Sequence, residues 1–242
     1  MMNEDQAWID YRNSFSDVYD DSNYASPIQA TVMRASHRLV ERRLPETATY
    51  SKVLEIGAGT GEHLSFVRHS FGEYTLTDSD SATLEVAKKK NSTSVHRGKL
   101  KFEIQDGTTL SYPDSSFDRV VAVHVLEHIY QPHLAIKEWR RVLRKDGLLS
   151  ILIPTDPGVA WRMGRHLGPR RNAIKRGIAY DYVMAREHVN SCNNLIALLR
   201  HYFPERNEAW WPLPLPSIDL NLFFAFHAYE KKASAPKLSR SL

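Results

Sequence analysis

The sequence predicts an α/β protein built on an open, doubly wound, mostly parallel sheet, and three observations predict it. The run Val53-Leu54-Glu55-Ile56-Gly57-Ala58-Gly59-Thr60-Gly61 is a short apolar stretch that ends in alternate glycines. That is the pattern of a buried strand turning sharply into a ligand site, where glycine lets the backbone bend and come close. From Ser51 to Ile153, strand-like and helix-like segments alternate, which argues a parallel sheet covered on both faces. Leu148 to Ile153 is apolar apart from Ser150, as a central strand should be.

Each element follows from local pattern. Trp8, Tyr11, Phe15 and Tyr19 recur at spacings of three, four and four, predicting an amphipathic helix over residues 1–24. Asn23 to Pro27 breaks it, and a second helix over 28–44 ends at the Leu44-Pro45 step. Strand one is Ser51–Ile56, followed by a helix over Glu62–Ser70. Strand two is Glu73–Thr77, followed by a helix over Ser81–Lys90 with Thr83, Leu84 and Ala87 inward. Strands three and four are Leu100–Gln105 and Phe117–Val123. A helix over Pro132–Leu143 turns Leu134, Ile136, Trp139, Val142 and Leu143 to its apolar side, before strand five. Residues 154–187, punctuated by proline and glycine, are too long for a bare loop and predict short helices. A helix over 188–203 and strands at Trp210–Leu215 and Leu220–Tyr229 complete the pattern. The expected organisation is an N-terminal helical lid (1–48), one ligand-binding domain (49–230) with a variable insertion at 155–187, and a fraying polar tail (231–242).

Composition sets limits. A chain of 242 residues suffices for one well-buried domain. Its 32 basic and 28 acidic residues give a formal charge of +4, too mild to argue for nucleic acid. The distribution says more: residues 1–30 hold six acids and one base, whereas residues 161–177 hold six bases and no acid. Both fit solvated faces, and the second also fits an anionic ligand or surface. The single cysteine, Cys192, excludes an internal disulfide and a cysteine zinc site. No stretch has membrane-spanning length and the acidic start is unlike a secretory signal, so a cytoplasmic protein is expected.

The glycine spacing discriminates among ligands. A dinucleotide fingerprint needs its third glycine where Glu62 stands, and no phosphate loop is present. Glu55, at the strand end, would accept a hydrogen bond from an ammonium-bearing ligand and repel a pyrophosphate, which speaks against a dehydrogenase.

Residues 51–155 resemble the core of the class I S-adenosylmethionine-dependent methyltransferases. The glycine run resembles the family's first motif. Asp78, in Leu76-Thr77-Asp78-Ser79-Asp80, falls at the acidic position ending strand two, and Asp106, before Gly107, at the one after strand three. Pro113 to Val121, Val123 to His128 and Glu138 to Leu149 are similar to the segments around strands four and five. The resemblance implies a Rossmann-like, seven-stranded sheet whose last strand runs antiparallel, with S-adenosyl-L-methionine over the carboxyl ends of the strands. On that basis Gly57, Ala58, Gly59 and Gly61 approach the amino-acid part of the cofactor. Asp78, with Ser79, accepts the ribose hydroxyls, and Asp106, with Gly107, accepts the adenine amine. Asp78 as a helix cap and Asp106 as turn chemistry are the plainer readings. Tyr11 and Tyr19 would close the N-terminal helix over the cofactor.

His124, where strand four gives out, is the first candidate base and a second cofactor neighbour; His188 is the second candidate base. His128 reads as structural, and no metal site is expected. Arg162, Arg165, Arg170 and Arg171 would bind an anionic acceptor, with Tyr180 and Tyr182 lining its apolar part. The expected activity is methyl transfer to nitrogen or oxygen of a small anionic acceptor. Alternatives are a phospholipid headgroup acceptor reached by weak peripheral contact with an anionic membrane, nucleic-acid methylation, and a non-catalytic cofactor-binding scaffold.

Overall fold

The computed structural model describes Gln6, Trp8, Ile9, Tyr11 and residues 27–230. Its helices are α1 (Pro27–Glu41), α2 (Ser81–Lys90), α3 (Pro132–Val142), α4 (Val159–Leu167), α5 (Pro169–Lys175), α6 (Tyr180–Glu187) and α7 (Cys192–Tyr202). Its strands are β1 (Thr49–Ile56), β2 (Ser70–Asp78), β3 (Leu100–Ile104), β4 (Phe117–Val123), β5 (Leu143–Pro154), β6 (Arg206–Trp211) and β7 (Phe223–Tyr229). They form one seven-stranded sheet in the order β3-β2-β1-β4-β5-β7-β6. Strands β1 to β5 pair in parallel, and β7 runs antiparallel to both β5 and β6. The strand order reverses between β1 and β4. In open sheets of this kind, a ligand crevice forms beyond the strand ends at such a switch point.

Alternation along the strands builds two cores, because successive side chains leave opposite faces. Leu54, Ile56, Val120, Ala122 and Ile151 pack with Ile136 and Trp139 of α3 and Leu195 and Leu199 of α7. Val53, Val121, Val123 and Leu152 pack on the other face with Leu39 and Val40 of α1 and Leu84 of α2. Helix α2 starts where Asp80 accepts from the Ala82 N–H at 3.0 Å, and ends on Lys88, Lys89 and Lys90, which favour its negative end. Asp80, then, caps this helix, and Asp78 is left for another role.

Several boundaries differ from expectation, each for a physical reason. The helix expected over Glu62–Ser70 is a single 3₁₀ turn, His63–Phe66. His, Ser, Phe and Val are indifferent helix formers, and the His69 ring is drawn inward to Arg119. The chain therefore extends early, and the Ser70 N–H pairs with the Ala48 carbonyl at 3.0 Å. Strand β6 stops at Trp211 rather than Leu215, because Pro212, Pro214 and Pro216 have no N–H for a ladder. Helix α7 starts at Cys192 rather than at residue 188, since the Asn190 side chain is tied to the Ile129 carbonyl at 2.6 Å. Leu134 is exposed, unlike Ile136, Trp139, Val142 and Leu143. The insertion folds into the short helices α4, α5 and α6, as its length requires. Gln6, Trp8, Ile9 and Tyr11 are helical; Phe15, Tyr19 and residues 231–242 lie outside the described residues. No helix among the described residues is long and apolar enough to cross a membrane.

Candidate functional site

The turn after β1 is shaped by conformations that favour glycine. Gly57, Gly59 and Gly61 have φ of 62°, 54° and 74°. A Cβ at Gly57 would lie 2.5 Å from Val125 Cγ2, whereas one at Gly59 would meet nothing within 4 Å. The turn is therefore packed against protein on one side and open on the other. Asp78, at the end of β2, holds it in place: Oδ2 accepts from the Gly59 N–H at 2.9 Å and Oδ1 from the Asp80 N–H at 3.0 Å. Each carboxylate oxygen keeps a second lone pair for a ligand. The next strand brings Asp106 to the same edge, since the Gln105 N–H donates to the Asp78 carbonyl at 3.0 Å. Asp106 Oδ1 accepts from the Thr108 N–H and hydroxyl, both at 2.7 Å, which is turn chemistry, and its Oδ2 remains for another donor. The Gly107 carbonyl accepts from the Trp139 indole at 2.7 Å. Ser79 is exposed beside Asp78.

A cleft of about 50 Å³ opens above the turn, lined by Gly57 to Thr60, Glu55, Glu62, His63, Val123, His124, and Met33 and His37 of α1. Small-molecule sites usually span about 300–1,000 Å³, so this cleft is small, with α1 close over the turn. Glu55 forms part of the floor; its Oε2 accepts from the Tyr74 hydroxyl at 2.8 Å, and burial pushes its carboxyl pKa up.

Beneath the cleft runs a buried ion network. Arg119 of β4 spans both oxygens of Glu41 at the end of α1, and neither side chain is more than 1% exposed. His63 Nε2 lies 3.1 Å from Glu41 Oε1, and His63 Nδ1 lies 3.2 Å from His37 Nδ1. Arg119 also meets His69 and donates to Ser150 Oγ, which pairs with His227 at 3.1 Å. Burial pushes the Glu41 carboxyl up, but the charge of Arg119 and hydrogen bonds from His63 and Arg119 outweigh it, leaving it well below the usual range.

The network makes stability pH-dependent. Burial, aided by the charge of Arg119, lowers both His69 and His227 to about 4. The unfolded chain takes up their protons near pH 6.5, while the native chain resists until about pH 4. Their stabilisation is complete above about pH 6.5 and is lost on acidification, at about 1.4 kcal/mol per pH unit for each histidine. Glu41 works in the same direction, because a lowered carboxyl loses its contribution as pH falls. Urea midpoints are expected to be level from pH 7 to 8 and to drop steeply from 6.5 to 4.5; a level profile across the acid range would contradict the assignment.

His124 proves to be a tether. It ends β4 with φ of 58°, and its Nε2 lies 3.0 Å from Ser36 Oγ. The Ser36 hydroxyl donates to the Met33 carbonyl at 2.7 Å, so the His124 proton sits on Nε2 and points at Ser36. Nδ1 faces Glu127 at 3.6 Å. Nε2 is thus directed at a protein group, while Nδ1 keeps its lone pair in that tautomer. His188, one residue past α6, is arranged differently. Its Nδ1 lies 2.9 Å from Asp156 Oδ2, and Asp156 also holds Arg165 at 3.2 Å. Burial raises the Asp156 carboxyl, but His188 and Arg165 outweigh it and keep it low. The His188 Nδ1–H therefore donates to the carboxylate, leaving a lone pair on Nε2, which has no hydrogen-bond partner among the described residues. Trp161 stacks on His188 and contacts Phe223, which in turn contacts His124 at 5.4 Å. Two rings in series, Trp161 and Phe223, thus stand between His188 and His124 of the cleft wall. His128 accepts a structural role, its Nδ1 lying 2.8 Å from the Glu187 carbonyl.

Two of the four candidate arginines of the insertion are committed to acids. Arg165 serves Asp156 and stacks on Tyr180, while Arg170 forms a bidentate pair with Asp181 at 2.6 Å. Arg162 and Arg171 are exposed and do not line the cleft. Tyr182 is exposed and accepts from Arg186 at 3.1 Å; Arg186 stacks at 4.2 Å on Trp8, whose ring lies 5.7 Å from Tyr11. Among the described residues, the N-terminal segment therefore rests on α6, and Tyr11 is not in the lining of the cleft. Of the four arginines, Arg165 and Arg170 are engaged with acids, while Arg162 and Arg171 stand exposed.

Comparison with known proteins now fits this geometry. A family model described as a methyltransferase domain matches residues 54–151, from β1 through β5. Residues 54–151 are a methyltransferase domain of the class I, S-adenosylmethionine-dependent family. Within that methyltransferase domain lie the glycine turn, Asp78, Asp106 and His124; Asp156 and His188 lie beyond it. The chain is 28% identical over 134 residues to Methyltransferase GfsG of Streptomyces halstedii, covering 55% of this chain and 48% of that protein. It is 31% identical over 127 residues to the ubiquinone/menaquinone biosynthesis C-methyltransferase UbiE of Cellvibrio japonicus, covering 50% and 51%. The chain thus spans about half the length of these curated relatives. Among solved structures, the N-methyltransferase NodS of Bradyrhizobium japonicum, in complex with S-adenosyl-L-homocysteine, shares the fold with a TM-score of 0.59 at 17% identity, covering 92% and 98%.

Proposed function

We propose that this chain transfers a methyl group from S-adenosylmethionine to a nitrogen or oxygen of a small acceptor, and that His188 takes the acceptor's proton. The observation that carries this is the Asp156–His188 pair, joined to the wall of the glycine-turn cleft through Trp161 and Phe223 in series. The cofactor supplies a methyl already activated on a sulfonium, so the chain's work is alignment and proton transfer. Gly57 and Gly59 would let the backbone approach the amino-acid part, while the spare lone pairs of Asp78 would accept ribose hydroxyls and Asp106 would accept the adenine amine. His188 Nε2 receives the proton of a hydroxyl or an ammonium, and the Asp156 carboxylate stabilises the imidazolium at Nδ1. Trp161 and Phe223 keep water from the path.

Relatives include proteins described as C- and O-methyltransferases, so the acceptor atom is a matter for assay. With Arg165 and Arg170 paired to acids, an anionic acceptor has no special support. The exposed stripe Val159, Met163 and Leu167 beside Arg162 places a phospholipid headgroup among the acceptors to test. The experiment is a labelled-methyl assay over small hydroxyl and amine acceptors, repeated with His188→Gln and Asp156→Asn. His188→Gln is expected to lower kcat by roughly 10²–10⁴-fold and to abolish the rising limb of the pH profile. Cofactor affinity should stay unchanged. Full turnover with an unaltered profile would place the base elsewhere.

A further inference from the structure

We infer that His37 of α1 binds an ammonium group in the cleft, its Nε2 kept bare by a relay of protons from Glu41; the inference rests on the S-adenosylmethionine reading above. The relay starts at the Glu41 carboxylate, which is an acceptor only. His63 Nε2 stands 3.1 Å away and so must carry a proton. His63 Nδ1 and His37 Nδ1 are 3.2 Å apart and share one proton between them. With His63 neutral and already protonated at Nε2, its Nδ1 accepts and the His37 Nδ1 donates. The remaining nitrogen of His37 then holds a lone pair.

Two charge states compete for His63. A charged ring there would donate at both nitrogens and force the His37 proton onto Nε2. Glu41 is already neutralised by Arg119, and His63 is 1% exposed, so a second cation at this position would sit in a buried site beside Arg119. Glu55 and Glu62 also face the cleft, but Glu62 is paired with Lys90 at 2.5 Å and Glu55 with Tyr74. Burial, followed by the neighbouring His63 and His124, holds His37 itself well below its ordinary value.

The ring is fixed in position. It stacks on Phe66 at 5.0 Å and 8°, and meets His124 edge-on at 6.3 Å. It lines the cleft beside the glycine turn, and Nε2 has no hydrogen-bond partner among the described residues. A bare ring nitrogen thus faces the cleft, an acceptor suited to a cationic N–H donor. The part of S-adenosylmethionine with such donors is the ammonium of its amino-acid end, the end the glycine turn would receive.

The test uses the full chain, S-adenosylhomocysteine and the deaminated analogue of that product. In calorimetric titration, His37→Leu should weaken the product at least about tenfold, the effect of one hydrogen bond to a charged group, and change the analogue by less than about twofold. His37→Gln, which places an amide oxygen near the lost nitrogen, should recover most of the affinity. Imidazole nitrogen NMR of the wild-type chain, with no ligand added, should show His37 protonated at Nδ1 alone and His63 at Nε2. A His37 ring protonated at Nε2 overturns the proposal, as does a loss that is equal for both ligands. If the wild-type chain binds the product and His37→Leu binds it equally well, only this assignment falls. If the wild-type chain does not bind the product, the cofactor reading falls with it.

Discussion

Asp78→Ala is expected to weaken S-adenosylmethionine and S-adenosylhomocysteine by more than about a hundredfold while the chain stays folded. Two effects combine. The carboxylate now accepts the N–H of Gly59 and of Asp80, and so fixes the glycine turn against the start of α2. Its loss frees a turn whose three glycines have left-handed backbones and little stiffness of their own. The same oxygens would accept the ribose hydroxyls, and hydrogen bonds to a charged group contribute about 1.5–3 kcal/mol each. Two of them correspond to about a hundredfold or more in affinity. The residue lies at the strand end, outside both apolar cores, so circular dichroism should stay near wild type. Asp78→Asn keeps one acceptor oxygen and should fall between the two. Affinity within about threefold of wild type for Asp78→Ala would remove this residue from the cofactor site.

Arg119→Met is expected to cost about 3–5 kcal/mol of folding stability, the usual result of leaving one member of a buried ion pair alone. Glu41 would stay buried with only His63 as partner, in a pocket closed by α1, β4 and β5. The double variant Glu41→Leu, Arg119→Met should recover most of the loss, because apolar replacement of both partners removes the uncompensated charge. Urea unfolding of the wild type, the two single variants and the double variant measures this directly. Additive losses in the double variant would show that packing, not charge, holds α1 to the sheet. The cleft should respond too, since His63 and His37 hang from Glu41, so product affinity should fall with the single variants.

The contrast between what was legible and what was not has a physical cause. Strands β1, β4 and β5 could be read because each is a local apolar run, and the glycine turn because left-handed backbone leaves a mark in residue type. The helix expected after Gly61 could not be excluded, since what unwinds it is the pull of Arg119 on His69, 50 positions apart. Arg119 was itself a signal: a guanidinium in the middle of Phe117–Val123 must find a buried partner. That partner, Glu41, lies 78 positions away on a helix that looks merely amphipathic. Likewise, residues 161–177 hold no acid because the window stops short of Asp181, the residue that pairs with Arg170. His188 was readable as a candidate base, but Asp156, which orients it, stands 32 positions earlier beyond β5.

The most direct measurement is calorimetric titration of the wild-type chain with S-adenosylmethionine, S-adenosylhomocysteine and NAD in parallel. The glycine turn beside Asp78 predicts saturable heat from the first two, at one site per chain, and none from NAD. Binding of NAD with no response to either sulfur nucleoside would contradict the account.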